Sequence, residues 1–270
     1  MKKNYSIQLW LMAAFIVLIL LTTAHPYFNS DVASDRLGIA HEVHNVIGSV
    51  VHIQSIDKGY QGSGVIVSDT GLIMTAHHVV DGCKAFVVTL NNGKEFTCSR
   101  AIIDTENDIA FLRIDRGDEC LSVAEFGNVS NRRVGDGIFL VGSPYGKDHF
   151  NSVTFGIISS LSRSVDHPSV QVFGWQHLMQ VDAASNPGNS GGPLFDLNCK
   201  LVGILVGGPS GAEGISYCVR LDRMETLIEE VERMFIMDRF RLQGVEDGPN
   251  PKETWETDEE KSEGGTYSPW

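Results

Sequence analysis

The chain has 270 residues, 42% hydrophobic and 20% charged, a globular composition with enough apolar material for one large domain or two small ones. Its formal net charge of -13, from 21 basic against 34 acidic residues, argues against nucleic-acid binding, which requires clustered Lys and Arg to neutralise phosphates. The five cysteines, Cys83, Cys98, Cys120, Cys199 and Cys218, form no CxxC pair and no histidine stands at zinc-site spacing, so no metal site is expected.

Taken in chain order, Lys2 and Lys3 precede an apolar run from Leu9 to Leu21 that closes on Thr22-Thr23-Ala24. This reads as an export segment over residues 1–24, either a cleaved signal peptide or a retained membrane anchor. In both cases the lysines stay cytoplasmic, and the remainder is delivered to the periplasmic or exterior face. Residues 25–45 read as a linker, with Tyr27 and Phe28 just after the leader. His41-Glu42-Val43-His44 spaces its histidines three apart, whereas the zinc-protease helix needs four.

From Val46 to Val219, short β-branched runs alternate with Gly, Asn and Asp, the pattern of an all-β barrel or sandwich. Twelve strands are predicted, at Ser49–Gln54, Gly64–Ser68, Leu72–Thr75, Ala85–Leu90, Glu95–Asp104, Ala110–Ile114, Gly137–Val141, Ser152–Ser162, Gln176–Val181, Gly192–Phe195, Leu201–Val206 and Gly214–Val219. They suggest two six-stranded halves hinged near Gly127 to Gly135. If the exported chain is oxidised, Cys83 with Cys98 or Cys199 with Cys218 would bridge neighbouring strands; buried free thiols are the alternative. Leu221, Met224, Leu227, Ile228, Val231, Met234 and Phe235 then recur at helical spacing, which predicts one amphipathic helix over Leu221 to Phe240. The folded domain is thus placed at 46–242. Residues 243–270, with eight carboxylates against two lysines from Val245 onward, read as an acidic, disordered tail.

The most informative segment is Asn186-Pro187-Gly188-Asn189-Ser190-Gly191-Gly192-Pro193-Leu194. Glycines around a serine permit a tight turn that presents the hydroxyl and lets a carbonyl approach backbone N–H groups. Gly188 and Ser190 are the expected donors of an oxyanion hole, with Asn189 between them. A serine nucleophile needs a histidine base and a carboxylate to hold that base. His78, in Leu72-Ile73-Met74-Thr75-Ala76-His77-His78-Val79-Val80, and Asp108, in Asn107-Asp108-Ile109-Ala110-Phe111-Leu112, supply them. Their chain order, His, Asp, Ser, is that of chymotrypsin. A serine esterase would need an elbow between a strand and a helix and the order Ser, Asp, His, and neither appears.

These segments resemble the trypsin-like proteases of the HtrA/Deg family. The resemblance rests on GSGVIV (Gly62 to Val67), LIMTAHHVV, NDIAFLRI (Asn107 to Ile114), VGSPYG (Val141 to Gly146), VTFGIISSL (Val153 to Leu161), VDAASNPGNSGGPL (Val181 to Leu194), LVGI (Leu201 to Ile204) and GISYCV (Gly214 to Val219). It implies a chymotrypsin-like fold of two perpendicular six-stranded β-barrels with a C-terminal helix and the site in the cleft between them. It further implies a serine endopeptidase acting on unfolded polypeptides in extracytoplasmic quality control, a homotrimer, and no cofactor. Tyr27 and Phe28 resemble the aromatic contacts through which family members trimerise. Within the resemblance His78 is the catalytic histidine because it precedes the Val-Val pair, and His77 takes a place usually held by a small residue. Ala184, Ser185, Val206 and Tyr217 fall on the substrate pocket. Ala184 stands six residues before the serine, where trypsin-like pockets of basic specificity carry aspartate, so cleavage after small or medium apolar side chains is expected. The chain departs from the family in having only about 30 residues after Phe240, too few for the PDZ domain most members carry. A catalytically inactive scaffold acting as a binding module is the competing reading, and the intact set His78, Asp108, Ser190 disfavours it.

Overall fold

The computed structural model describes residues 40–165, 175–209, 211–221 and 225–242. The export segment, most of the linker with Tyr27 and Phe28, and the acidic tail lie outside the described residues. Among the described residues no helix is long and apolar enough to cross a membrane.

The chain folds as two sheets, antiparallel except for the short β8–β13 pair, that follow one another in sequence. The first contains β1 (Val50–Ser55), β2 (Gln61–Ile66), β3 (Leu72–Ala76), β4 (Phe86–Thr89), β5 (Glu95–Cys98), β6 (Ala101–Asp104) and β7 (Ile109–Arg113), in the order β5-β4-β1-β2-β3-β7-β6. The second contains β8 (Glu125–Phe126), β9 (Gly137–Gly142), β10 (Ser152–Val165), β11 (Trp175–Val181), β12 (Pro193–Asp196), β13 (Lys200–Gly207) and β14 (Ser216–Arg220), in the order β12-β9-β10-β11-β14-β13-β8. Pairing of β12 with β13 closes β9 to β14 into a six-stranded barrel, which removes its edges. The first sheet closes differently. β5 pairs with β4 at one edge and β6 with β7 at the other, yet only Ser99 and Arg100 separate them. A three-residue step spans roughly 11 Å at most, so the sheet must curl until the end of β5 lies near the start of β6.

This curling explains why the predicted strand Glu95–Asp104 is two strands. The run is continuously β-compatible, but its halves serve opposite edges. The predicted hinge at Gly127 to Gly135 also moves. Glu125 and Phe126 already pair in parallel with Lys200 and Leu201, and the Gly127 N–H donates to the Leu201 carbonyl at 2.8 Å. The crossing therefore lies between Ile114 and Glu125. Two residues are too few to show a period, which is why β8 carries no sequence signal.

Both barrels are filled by the inward faces of their strands, with Ile53, Ile73 and Leu112 buried in the first and Phe139 and Phe195 stacked at 5.6 Å in the second. Residues 40–46 are helical (α1), His77–Val80 forms a single helical turn (α2), and Glu225–Leu242 forms the closing helix (α3). The predicted helix face is the one that packs: Ile228, Val231 and Phe235 are buried. Glu232 ties α3 to the first sheet, accepting from the Thr70 hydroxyl at 2.7 Å and lying 3.5 Å from the Arg113 guanidinium. The last helix, reached from the second barrel, thereby returns to the first. All five cysteines are free, so neither disulfide considered from sequence is formed.

Candidate active site

α2 begins where β3 ends. Ala76, the N-cap, is extended, and the next two residues are held by a single aspartate. The His77 N–H donates to the Asp108 backbone carbonyl at 2.9 Å, and the His78 N–H to Asp108 Oδ1 at 3.0 Å. Asp108 Oδ2 lies 2.7 Å from His78 Nδ1. Asp108 is 1% exposed and sits at φ 53°, in the left-handed region that Asp tolerates better than most side chains. A carboxylate so deeply buried is sustained by these donors. Burial of the His78 ring disfavours its charged form, but the charge of Asp108 and its hydrogen bond more than offset this, with a further push from Asp81, so the pKa of His78 is raised.

His77 points elsewhere. Its Nε2 is 3.7 Å from Asp81 Oδ1, an i,i+4 pair. Only the second of the adjacent histidines meets Asp108.

Ser190 arrives from the second barrel on the turn between β11 and β12. Its carbonyl accepts the Ser63 N–H of β2 at 2.8 Å. A Cβ on Gly62 would lie 2.6 Å from the Val79 methyls and 3.1 Å from the Ser190 carbonyl, so only a bare glycine separates α2 from Ser190. In the turn itself the peptide planes alternate. Pro187 O accepts the Tyr145 N–H at 2.7 Å, Gly188 O the Ser63 hydroxyl at 2.8 Å, and Asn189 O the Gly192 N–H at 2.8 Å. No peptide bond here is cis, and in a trans peptide the N–H points opposite to the C=O. The Asn189 N–H accordingly donates to Asn186 O at 2.9 Å, so Asn189, grouped with the oxyanion hole from sequence, supplies no donor beside Gly188 and Ser190. Among the described residues the Gly188 and Ser190 N–H groups reach no acceptor. Two neighbouring amides are thus directed away from the bonds that hold the turn.

The trypsin-like peptidase domain model matches residues 62–204, which includes both histidines, Asp108 and the whole serine turn. The chain belongs to the trypsin-like peptidase family. Serine protease Do-like HtrB of Bacillus subtilis is 37% identical over 182 residues, 66% of this chain and 40% of that protein. The "Probable periplasmic serine endoprotease DegP-like" of Halomonas elongata is 38% identical over 164 residues, 60% of this chain and 33% of the relative. Among solved structures, the HtrA-type protease AlgW with a tripeptide superposes with a TM-score of 0.63 at 29% identity, covering 71% of this chain and 62% of that one. The serine endoprotease from Yersinia pestis superposes at 0.59 and 29% identity, covering 71% and 65%. The family is therefore the HtrA type of trypsin-like serine protease. The chain spans less than half the length of the curated relatives it matches.

In this trypsin-like frame, three of the four expected pocket residues come together. Ser185 Oγ is 2.8 Å from Ser216 Oγ, which donates to Ala183 O at 2.9 Å. Tyr217 follows Ser216 and pairs with Gly207, next to Val206. Ala184 is exposed, with its carbonyl accepting from the Thr154 hydroxyl at 2.8 Å. Sequence reasoning misses Ser216 and Ser63. Both are small hydroxyls inside β-strands, and only the cross-strand register shows what they touch.

Proposed function

We propose that this chain is a serine endopeptidase in which His78, Asp108 and Ser190 form the catalytic triad. The observation that carries the reading is the doubly bonded Asp108–His78 pair, set one residue's width from the serine turn that directs two unpartnered amides outward.

Asp108 accepts from Nδ1–H of His78, which leaves the Nε2 lone pair to take the Ser190 proton. The Ser190 oxygen then bonds to the scissile carbonyl carbon, and the carbonyl oxygen gains charge against the Gly188 and Ser190 N–H groups. His78 returns the proton to the departing amine, leaving an acyl-enzyme; water, deprotonated by the same histidine, releases it. The raised pKa of His78 favours accepting that proton.

The pocket residues Ala184, Ser185, Val206 and Tyr217 carry no charge. Nothing in that set offsets the desolvation of a guanidinium, so cleavage after small or medium apolar residues is the specificity proposed. The periplasmic endoprotease named in Halomonas elongata supports a periplasmic or exterior location, and family resemblance supports unfolded extracytoplasmic polypeptides as substrates and a homotrimer, with the membrane reached through residues 1–24 if these are retained.

Hydrolysis of an unfolded casein-like substrate by the parent, Ser190→Ala and His78→Ala tests the reading. Each variant is expected to lose about 10⁴ to 10⁶ in turnover. Parent-level turnover in Ser190→Ala refutes the triad, and a dominant cut after Arg refutes the pocket.

A further inference from the structure

Ser63 lies on β2, in the first barrel, and is fully buried. It makes four hydrogen bonds, three of them to segments of the second barrel. Its N–H donates to the Ser190 carbonyl at 2.8 Å, and its hydroxyl donates to the Gly188 carbonyl at 2.8 Å. The same hydroxyl oxygen accepts the Ser143 N–H at 2.9 Å, and its carbonyl accepts the Thr75 hydroxyl at 2.7 Å. A hydroxyl has one proton and two lone pairs, so both observed roles are filled at once.

The bond to Gly188 is the one with functional weight. The peptides before and after it are held by main-chain donors, from Tyr145 and Gly192. The middle peptide, Gly188 to Asn189, is the one whose carbonyl is held by a side chain. Without the Ser63 bond that plane keeps only its Asn189 N–H bond to Asn186 O, at 2.9 Å, and has less to oppose a rotation that brings its C=O toward the Gly188 and Ser190 N–H groups. A carbonyl dipole there opposes the negative oxygen that those amides would stabilise.

We infer that Ser63 is a positioning residue whose hydroxyl fixes the oxyanion turn across the barrel interface. The inference rests on the proposed role of Ser190. It predicts that Ser63 acts on the transition state more than on substrate binding, because the ground-state carbonyl carries little of the charge the turn is set to meet.

The test compares the full chain with Ser63→Ala, each normalised to the Ser190 sites titrated to completion by a fluorophosphonate. For Ser63→Ala, kcat per site is expected to fall about 10-fold to 100-fold, with KM within about twofold. A peptidyl boronate, whose tetrahedral hydroxyl stands in for the oxyanion, is expected to weaken by the same factor as kcat. If Ser63→Ala does not accumulate folded, Ser63→Cys decides in the same assay. The thiol fills the site but donates weakly, and the same pattern is expected. Unchanged kcat per site and boronate affinity overturn the inference, as does a loss confined to melting temperature or to the titratable fraction. Ser190→Ala run in parallel separates the two failures. If Ser190→Ala is inactive while Ser63→Ala matches the parent per site, the triad stands and the role of Ser63 falls. If Ser190→Ala retains the parent's turnover, both fall.

Discussion

Replacing Asp108 by Asn isolates what the buried carboxylate does, because the change keeps shape and backbone while removing charge. Asn tolerates the left-handed φ of 53° that this position requires, so the turn should survive. The structure also dictates which way the new amide faces. The His78 main-chain N–H, 3.0 Å from Oδ1, can only donate and must be met by the amide oxygen. The amide NH₂ then stands where Oδ2 was, 2.7 Å from His78 Nδ1. Nδ1 is forced to accept, the ring proton moves to Nε2, and the lone pair that would take the Ser190 proton is gone. The opposite amide orientation sets two donors against each other. The expected loss in kcat is therefore about 10⁴, or about 5.5 kcal/mol of transition-state stabilisation, with the fold intact.

The pH profile gives a second readout of the same substitution. The base must be unprotonated, and Asp108 raises its pKa above 6.5, so parent activity falls as pH drops through a value above 6.5. Without the carboxylate, burial lowers the ring pKa and the acid limb moves to lower pH. Measurement of kcat/KM on a peptide amide from about pH 5 to 9 reads both effects. An Asp108→Asn enzyme within tenfold of the parent, with an unmoved acid limb, refutes the assignment.

Two further outcomes follow from buried groups. His52 is fully buried with neither ring nitrogen hydrogen-bonded, and its pKa is lowered by burial and then by Lys147, against weaker opposing pulls from the Gly62 backbone and Glu95. Its folded pKa lies below the unfolded 6.5, so the unfolded chain binds more protons in that window and stability falls as pH drops. His52→Leu should reduce that acid loss in calorimetry at about pH 5 and 7.5, and equal pH dependence in both proteins refutes the reasoning. The five free thiols should all alkylate after non-reducing denaturation. In the native protein, exposed Cys120 should react first and Cys199 slowly, since burial and then Glu42 push its pKa up to about 12. A mass two hydrogens short, from Cys83–Cys98 or Cys199–Cys218, refutes it.

The parts legible in the sequence are those where local chemistry and global fold agree. β-branched runs gave most strand positions to within a residue or two, and the apolar period of α3 named its buried face. His78 and Asp108 were legible because their segments are distinctive and their order in the chain is itself informative. What stayed hidden depends on contacts remote in sequence. The split after Cys98 follows from an edge closing on itself. The Asn189 amide looks like a third donor until its bond to Asn186 is seen. Ser63 lies inside the short run GSGVIV, and nothing within that run announces that its hydroxyl reaches a carbonyl 125 residues away.

The glycines of the serine turn are set by close approach of main chain, to a neighbouring segment of the second barrel at Gly188 and to the first barrel at Gly191, not by a need for flexibility. At Gly188, φ 95°, a Cβ would stand 2.3 Å from Ser143 O and 3.0 Å from Tyr145 N. At Gly191, φ 80°, it would stand 2.2 Å from Ser63 O and 2.1 Å from the Thr75 hydroxyl. Distances under 3 Å to main-chain atoms leave no room for any side chain, and positive φ independently disfavours one. A larger residue at Gly191 would separate β2 from the turn, and one at Gly188 would push the turn off the Ser143–Tyr145 segment. Separation would lengthen the Ser63 to Gly188 and Ser63 to Ser190 bonds together. Gly191, recognisable in sequence, and the Ser63 hydroxyl contact, which is not, are thus two consequences of one close approach.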